Sequence, residues 1–171
     1  MTSLAPFVPS PFEIVKRMLE IANVGREDTV FDLGCGDGRI LITAVKNFDA
    51  KKAVGFEMRE DLYKQALQEV KKQGLESRIS IINGDALAGS ISEASVITLY
   101  LTTYGNEKLK PKLSSEARQG TRIISHDFEF SKWHVSKSEI FFGHKLYLYA
   151  IPEALIIHDE KPSLLKRLNP F

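Results

Sequence analysis

Cysteine is nearly absent from this sequence, and its scarcity excludes several classes of protein. The single cysteine, Cys35, can form neither an internal disulfide nor a cysteine-based zinc cluster, and it fits a reducing compartment. Long apolar runs are also missing, because no stretch approaches the roughly 20 residues of a membrane span. The first residues have no basic region followed by a long apolar segment, so no signal peptide is expected. We therefore expect a cytoplasmic protein with no membrane partner.

The sequence also lacks an excess of positive or of negative charge. The 171 residues carry a formal net charge of +1, which gives no electrostatic basis for direct binding to nucleic acid. The four histidines, His126, His134, His144 and His158, show no pairing at helical spacing, so no metal is expected. No serine, histidine and acid are spaced as in a hydrolase. Length and composition suit one domain over residues 1–171, and we expect a monomer.

Glycine is concentrated where the sequence is most informative. A buried strand pattern over Thr29–Leu33 contains Asp32, and Gly34, Gly36 and Gly38 follow before a helical pattern begins. Glycine permits positive φ and a close approach of a ligand to the backbone. The N–H groups at the start of the next helix are then expected to be free to donate to that ligand. This is the pattern of a nucleotide-type ligand at the carboxyl end of a first parallel strand.

The spacing of these glycines distinguishes between ligands. A dinucleotide loop, G-x-G-x-x-G, would have its third glycine at position 39, where this sequence has Arg39. Asp32 precedes the first glycine, where it would repel a pyrophosphate but attract a cationic amino group. S-adenosylmethionine has such an ammonium group, so we predict this cofactor, held by Asp32, Gly34, Gly36 and the adjoining Asp37. A tight turn without a ligand is the alternative.

Acids also close the second and third predicted strands. The strand Lys51–Glu57 ends in a carboxylate that is placed to accept hydrogen bonds from both ribose hydroxyls, although Glu57 alone could be a solvated strand-end acid. Asp85 follows the strand Arg78–Ile82 and can accept from an adenine amino group, while the Ala86 N–H can donate to a ring nitrogen. Asp85 is equally typical of a turn.

Local signals predict the boundaries of two helices. Ser10 is predicted to cap a helix whose apolar face begins at Phe12, and Gly25 to end that helix in a left-handed conformation. A later helix is predicted over Asn106–Arg118. Pro111 is poorly tolerated inside a helix, so this helix should begin just before it or have an irregular first turn.

The alternation of strand and helix patterns predicts an α/β fold with a mainly parallel sheet. The remaining strands are predicted over Ala94–Leu101, Thr121–Phe128, Ser138–Phe142 and Lys145–Ile151. The last two form a hairpin that gives the seven-stranded sheet one antiparallel strand. This is the Rossmann-like order of class I S-adenosylmethionine-dependent methyltransferases. Residues 152–171 form a tail of uncertain structure.

The carboxyl end of the fourth strand should face the cofactor, because this strand lies beside the first. It lacks the tetrapeptide of enzymes that methylate base amines or glutamine amides, an acid or asparagine followed by Pro-Pro-aromatic, which disfavours base methylation. Aromatic walls suit a lysine stem and a methylated ammonium. No catalytic residue is assigned, and each candidate for the acceptor channel could instead be a packing residue. The candidates are Tyr100, Thr102, Tyr104, Phe128, Phe130 and Trp133.

Four segments together carry a family resemblance. They are Pro6-Phe7-Val8-Pro9, Asp32–Ile40, Val54–Glu57 and the Phe-x-Phe-x-x-Trp segment Phe128–Trp133. Over roughly residues 5–150 the chain resembles the archaeal class I protein-lysine methyltransferases. These are related to the nucleosome-core histone lysine methyltransferase and to the mitochondrial lysine methyltransferase of the ATP synthase c-subunit.

The resemblance implies transfer of methyl groups to lysine ε-amines of proteins, including chromatin and DNA-binding proteins. It also implies that an N-terminal arm, residues 1–9, closes over the cofactor through Phe7, Val8 and Pro9. A methyltransferase for RNA or a small molecule on the same fold is the alternative, because fold does not fix the acceptor. A binding module without catalysis is a third hypothesis.

Overall fold

The computed structural model describes residues 6–156. The expectations for residues 1–5 of the arm and for the tail from residue 157 onward lie outside the described residues. The helices are α1 (Phe12–Ile21), α2 (Arg39–Phe48), α3 (Glu60–Lys72) and α4 (Thr103–Glu116), followed near the end by a 3₁₀ turn over Glu153–Leu155. None of the helices within residues 6–156 has the length and apolarity needed to cross a membrane.

Seven strands build one sheet. They are β1 (Thr29–Leu33), β2 (Lys52–Glu57), β3 (Ile79–Asn83), β4 (Val96–Leu99), β5 (Arg122–His126), β6 (Lys137–Phe141) and β7 (His144–Ala150). Their order is β3-β2-β1-β4-β5-β7-β6. The pairs among β1 to β5 are parallel, and β7 is antiparallel to both of its neighbours. The predicted fold class, with one antiparallel strand from the hairpin, is confirmed.

The hairpin between β6 and β7 closes through two residues with positive φ. Phe142 has φ 48° and Gly143 has φ 81°. Positive φ at both central residues defines the type I′ turn, whose twist matches that of paired strands.

The sheet separates two apolar cores. One core packs α1, α2 and α3 against one face of the sheet, with Met18, Leu41 and Ala66 fully buried. The other core packs α4 and the segment after β5 against the opposite face, around Phe130 and Tyr149. No helix lies between β5 and β6 in the described residues. Because the central strands β1, β2 and β4 are buried on both faces, their sequences are mostly apolar.

The start of α1 differs from the prediction. Ser10 does not cap the helix: Pro11 holds the N-cap position and no side chain caps it. The Ser10 hydroxyl instead lies 2.9 Å from Nδ1 of His126, in a buried contact. Phe12 is 56% exposed rather than part of the apolar face, and the Arg39 guanidinium lies over its ring.

The end of α1 also differs. The left-handed residue is Asn23, with φ 50°, and not Gly25. The Val24 N–H donates to the Leu19 carbonyl and the Asn23 N–H to that of Glu20, which satisfies the final turn. Asparagine tolerates this conformation better than most residues, and it is the second choice after glycine at such helix ends.

The helix α4 begins earlier than predicted and passes through its proline. Thr102 caps it by accepting a hydrogen bond from the Gly105 N–H, and Pro111 lies in the helix interior. The expectation of a start just before Pro111 is therefore wrong. Pro111 is on the exposed side of α4, where a missing backbone donor leaves a carbonyl that water can satisfy.

Candidate active site

A cleft opens at the carboxyl ends of β1, β2 and β4. Its empty space, counted out to its open mouth, is about 820 Å³. Residues 6–10 form one wall and the segment 32–37 forms the floor. The ends of β2 and β4 and residues 84–86 complete the lining. Every predicted cofactor-binding residue borders this cleft: Phe7, Val8, Pro9, Asp32, Gly34, Gly36, Asp37, Glu57, Asp85 and Ala86.

The backbone of the glycine loop is tied to β2. The N–H groups of Gly34 and Cys35 both donate to the Phe56 carbonyl, at 3.0 and 2.9 Å. The Gly38 N–H donates to the Cys35 carbonyl, and the first N–H of α2, that of Arg39, donates to an Asp37 carboxylate oxygen. The expectation of a free N–H at this helix start is therefore wrong for Arg39. The backbone N–H groups of Gly34, Cys35, Gly38 and Arg39 are therefore used within the protein.

Asp32 is the most strongly perturbed acid of the cleft. Its side chain is 2% exposed, and the Thr98 hydroxyl donates to its Oδ1 at 2.9 Å. Burial raises the pKa of Asp32 to about 7. Thr98 acts in the opposite direction, while the negative charges of Glu57 and Asp37 raise the pKa further. A buried carboxylate in this position needs a cation, and an ammonium group in the cleft would provide one.

Thr98 is a site residue that the sequence reasoning missed. The parallel register places it directly beside Asp32, and it is fully buried. The available signal was a hydroxyl residue within an otherwise apolar strand, Val96–Leu99. Such a buried hydroxyl needs a hydrogen-bond partner, and the neighbouring strand supplies it.

Glu57 lies at the end of β2, with both carboxylate oxygens on backbone donors. Oε2 accepts from the Gly36 N–H at 2.9 Å, and Oε1 accepts from the Arg59 N–H at 2.8 Å. A carboxylate offers about four lone-pair sites, so each oxygen can still accept from a ligand hydroxyl. Glu57 is 8% exposed, which excludes the alternative of a solvated strand-end acid.

Asp37 forms an ion pair within the loop rather than pointing alone into the cleft. Its carboxylate lies 2.6 Å from the Arg39 guanidinium, whose Nη1 also donates to the Ser10 carbonyl at 2.9 Å. Arg39 thereby connects the glycine loop to the segment that precedes α1.

Asp85 has the turn geometry that its sequence context suggested. Its Oδ1 accepts from the Leu87 N–H at 2.8 Å, and its carbonyl accepts from Ala88 and Gly89. Asp85 and the buried Ala86 both line the cleft, so the turn holds them at its edge.

The N-terminal segment lies against the glycine loop. A Cβ placed on Gly36 would come 2.4 Å from the Phe7 ring, so only glycine allows this contact. Gly36 also has φ 54°, which disfavours other residues independently of the ring.

Gly55 is a second close-packing position that the sequence reasoning did not single out. Its φ is not left-handed, but a Cβ there would lie 2.6 Å from both Cys35 Sγ and Leu41 Cδ1. Cys35 is 5% exposed, and burial raises the pKa of its thiol well above the usual range. Cys35 is therefore an inert packing residue beneath the loop.

An aromatic and imidazole group borders the cleft at the end of β4. Tyr100 lines the cleft, stacks on His126 at 3.8 Å between ring centroids and lies 6.5 Å from Phe128. Burial, the charge of Asp127 and a hydrogen bond to that carboxylate raise the pKa of Tyr100. Burial lowers the pKa of His126 to about 4.

The other acceptor-channel candidates do not line the cleft. Thr102 caps α4, and Tyr104 is 57% exposed on its first turn. Phe130 is 2% exposed in the second core, and Trp133 stacks on it at 4.7 Å. Phe128 does not line the cleft, and its ring is tilted relative to that of Tyr100. Of the six candidates, the structure thus brings Tyr100 to the cleft.

Comparison with known proteins points to methyltransferases. A family model for the ANTKMT methyltransferase domain matches residues 32–137. A protein-lysine N-methyltransferase of Saccharolobus islandicus is 47% identical over 152 residues, which covers 86% of this chain and 94% of that protein. The human lysine N-methyltransferase of the ATP synthase c-subunit is 26% identical over 128 residues, or 75% of this chain and 54% of that protein.

A solved structure has a similar fold and contains a close relative of the predicted cofactor. A crystal structure described as an RNA methyltransferase from Salinibacter ruber, in complex with S-adenosyl-L-homocysteine, superposes with a TM-score of 0.84. It is 39% identical and covers 91% of this chain and all of that one.

The fold and the cleft define a class I S-adenosylmethionine-dependent methyltransferase. Within that class, the chain belongs to the ANTKMT methyltransferase domain family. The residues of the cleft fit the cofactor, because the buried carboxylate of Asp32 can pair with its ammonium group and the Glu57 oxygens have lone pairs left for its ribose hydroxyls.

Proposed function

We propose that this enzyme transfers methyl groups to lysine ε-amines of proteins. The observation that carries the proposal is the 47% identity to a protein-lysine N-methyltransferase over nearly the full length of both chains. Methylation of RNA is the second candidate, since the Salinibacter structure carries that description at 39% identity. The near-neutral net charge of this chain favours a protein acceptor over a polyanion.

In this proposal the cofactor's ammonium lies against Asp32, its ribose hydroxyls donate to Glu57, and its adenine lies between Asp85 and the Ala86 N–H. Phe7 and the following residues close over it. Two features support the arrangement: these side chains border one cleft, and the Glu57 oxygens keep lone pairs that are not used by Gly36 and Arg59. When bound, S-adenosylmethionine supplies a methyl group already activated by the positive charge of its sulfonium.

The chain's own task is to hold the acceptor in line and keep it neutral. A lysine amine has a reference pKa of about 10.4, and an apolar, partly desolvated channel lowers it. Tyr100 and Leu101 form the cleft wall at the end of β4, so we place the acceptor beside them. Phe128 lies near Tyr100. The roles proposed from sequence for Thr102, Tyr104, Phe130 and Trp133 stay predictions.

The acceptor class can be tested with labelled S-adenosylmethionine. Purified enzyme is incubated with the labelled cofactor and cell extract, and the products are treated with protease or nuclease. We expect protease-sensitive label that appears as methylated lysine after acid hydrolysis. Nuclease-sensitive label would replace the proposal with RNA methylation, and low-mass label with a small-molecule acceptor.

Glu57→Ala is the variant with weakened cofactor binding for this assay. We expect it to weaken cofactor binding by about 5- to 150-fold, since two ribose hydrogen bonds of roughly 0.5–1.5 kcal/mol each are lost. Glu93→Ala removes an exposed acid before β4, at the opposite end of the sheet, and should retain full labelling. Unchanged cofactor affinity in Glu57→Ala would contradict the ribose assignment.

The remaining expectations complete the proposal. We place the enzyme in the cytoplasm of an archaeal cell, as a monomer and a single domain, with chromatin and other DNA-binding proteins among its substrates. The Saccharolobus relative supports the archaeal assignment. Mass spectrometry of lysates after the labelling reaction would identify the substrates.

A further inference from the structure

A cluster outside the cofactor site joins the end of β5 to the start of β7. His126 is the last residue of β5, Asp127 follows it, and His144 is the first residue of β7. The Asp127 N–H donates to the Lys145 carbonyl, and the Lys145 N–H donates to Asp127 Oδ1. These bonds fix the Asp127 side chain beside both imidazoles.

Asp127 reaches this position through a tight turn. Its φ is 62°, and the Phe128 N–H donates to the His126 carbonyl across it at 2.8 Å. A hydrogen bond between residues two apart around a positive φ defines a rare γ-turn. The turn directs the carboxylate of Asp127 back toward the side chain of the residue that precedes it.

Three ligand-type atoms form a small triangle. Nε2 of His126 lies 2.8 Å from Nδ1 of His144, and Nδ1 of His144 lies 3.0 Å from Oδ2 of Asp127. The third side, from Nε2 of His126 to Oδ2 of Asp127, measures 3.3 Å. Two imidazole nitrogens and a carboxylate oxygen thus meet at one point.

Protons alone leave one side of this triangle unbonded. A hydrogen on Nδ1 of His144 can serve the two shorter sides, and two lone pairs then face each other across the side of 3.3 Å. A cation bound by all three atoms would use all three lone pairs. Around zinc, with bonds of about 2.0–2.1 Å, the edges of a tetrahedron are roughly 3.3 Å, so the sides of 2.8 and 3.0 Å would lengthen slightly on binding.

The three side chains also have hydrogen-bond partners of the kind that usually orient metal ligands. The Ser10 hydroxyl lies 2.9 Å from Nδ1 of His126, the nitrogen that points away from the triangle. The Asp127 carboxylate also has hydrogen bonds to Tyr100 and Lys145. Such outer partners orient the ligands of metal sites. His126 is fully buried, whereas the side chains of His144 and Asp127 are 31% and 28% exposed, which leaves a fourth position open to water.

We propose that His126, Asp127 and His144 bind one divalent metal ion of the zinc class, with water in the fourth position. The donor set of two imidazoles and one carboxylate is typical of zinc and related ions. The ion would hold the β6–β7 hairpin to β5 behind Tyr100, which lines the cleft. The proposal does not depend on the identity of the methyl acceptor.

The test is a zinc titration of tag-free protein that has been stripped with a chelator. We expect one Zn²⁺ per chain by calorimetry, and Co²⁺ in its place should give the intense visible bands of four-coordinate cobalt. His144→Ala should abolish this stoichiometric binding, and Asp127→Asn should weaken it strongly. Ser10→Ala should weaken it by roughly 10–100-fold, as an outer-partner change does.

His134→Ala is the matched control, because it removes a histidine from the segment between β5 and β6 and leaves the triangle intact. It should bind zinc as the unmodified protein does. No stoichiometric zinc uptake by the unmodified protein, or equal affinity in His144→Ala, would overturn the proposal. Affinity for S-adenosylmethionine is measured on the same samples. Intact cofactor binding without zinc binding would then distinguish a failure of the metal proposal from a failure of the proposed function.

Discussion

At the scale of single residues, Asp32 links protonation to stability and to ligand affinity. Its pKa is about 7 in the folded chain, whereas an unfolded aspartate ionises near 3.9. Between these values the folded state binds more protons than the unfolded state. The free energy of unfolding of the ligand-free protein therefore falls as pH rises from about 4 to 7, and this contribution is constant above that.

Asp32→Asn should stabilise the ligand-free enzyme at pH 8 and weaken its cofactor binding. The amide avoids the cost of a buried charge, on the order of 2–4 kcal/mol, but offers the ammonium no opposite charge. Urea unfolding at pH 5 and pH 8 measures the first effect, and calorimetry with S-adenosylmethionine the second. The stability difference between variant and parent should shrink at pH 5. Equal stability at pH 8 would refute this account of Asp32.

Gly55→Ala should destabilise the chain by about 1–3 kcal/mol, the usual cost of overpacking. The added methyl group would collide with Cys35 and Leu41, which support the glycine loop. Gly25→Ala is the control, since nothing lies within 4 Å of a Cβ added at that position and its φ is not left-handed. Denaturant unfolding should show no loss for Gly25→Ala, and a similar loss for both would contradict the packing argument.

At the scale of helices and loops, Pro111 makes α4 less stable than another residue would. Pro111 lacks the N–H that an interior helical position normally donates. Pro111→Ala restores that donor on an exposed face, while giving the unfolded chain more freedom. We expect a net gain of about 1–2 kcal/mol in the free energy of unfolding, measured in urea, from the roughly 3 kcal/mol that separates the two residues in a helix interior. Ser114→Ala, one turn on, should change stability by about 0.5 kcal/mol or less.

In the segment after β5, replacing Trp133 distinguishes a packing role of this residue from a role in substrate binding. Because its ring stacks on the buried Phe130 and lies 5.8 Å from Tyr149, Trp133→Ala should lower stability by about 3 kcal/mol, the lower end of the range for Trp→Ala, since Trp133 is partly buried. Phe128→Leu keeps an apolar side chain near Tyr100, and its stability is compared with that of Trp133→Ala. Stability that is unchanged, with a lowered methylation rate and normal cofactor affinity, would restore Trp133 to the acceptor channel.

The helices also show what local sequence signals can predict. The strand Thr29–Leu33 matches the prediction, because its apolar pattern agrees with the sheet that buries it. Ser10 was predicted as a cap because its neighbours favour one, but a buried histidine from 116 residues away takes its hydroxyl. A partner that distant in sequence leaves no local signal.

At the scale of the whole molecule, strand order is what assembles the site. The acids at the ends of β1 and β2 could be predicted from sequence, since parallel strands bring their carboxyl ends to one edge. Thr98 beside Asp32, and His126 beside His144, arise from pairings between strands that are distant in the chain. Helical spacing of histidines could not reveal the second pair, because the residues lie on neighbouring strands.

The position of β7 has a consequence for the order in which the protein can be made. β6 forms the edge of the sheet and pairs with β7, which follows it in the chain and lies between β6 and β5. Synthesis runs from the N-terminus, so β6 leaves the ribosome before the strand that holds it in place. A nascent chain halted before residue 144 would have β1 to β5 available to pair. It would lack Tyr149, and with it a fully buried ring of the second core.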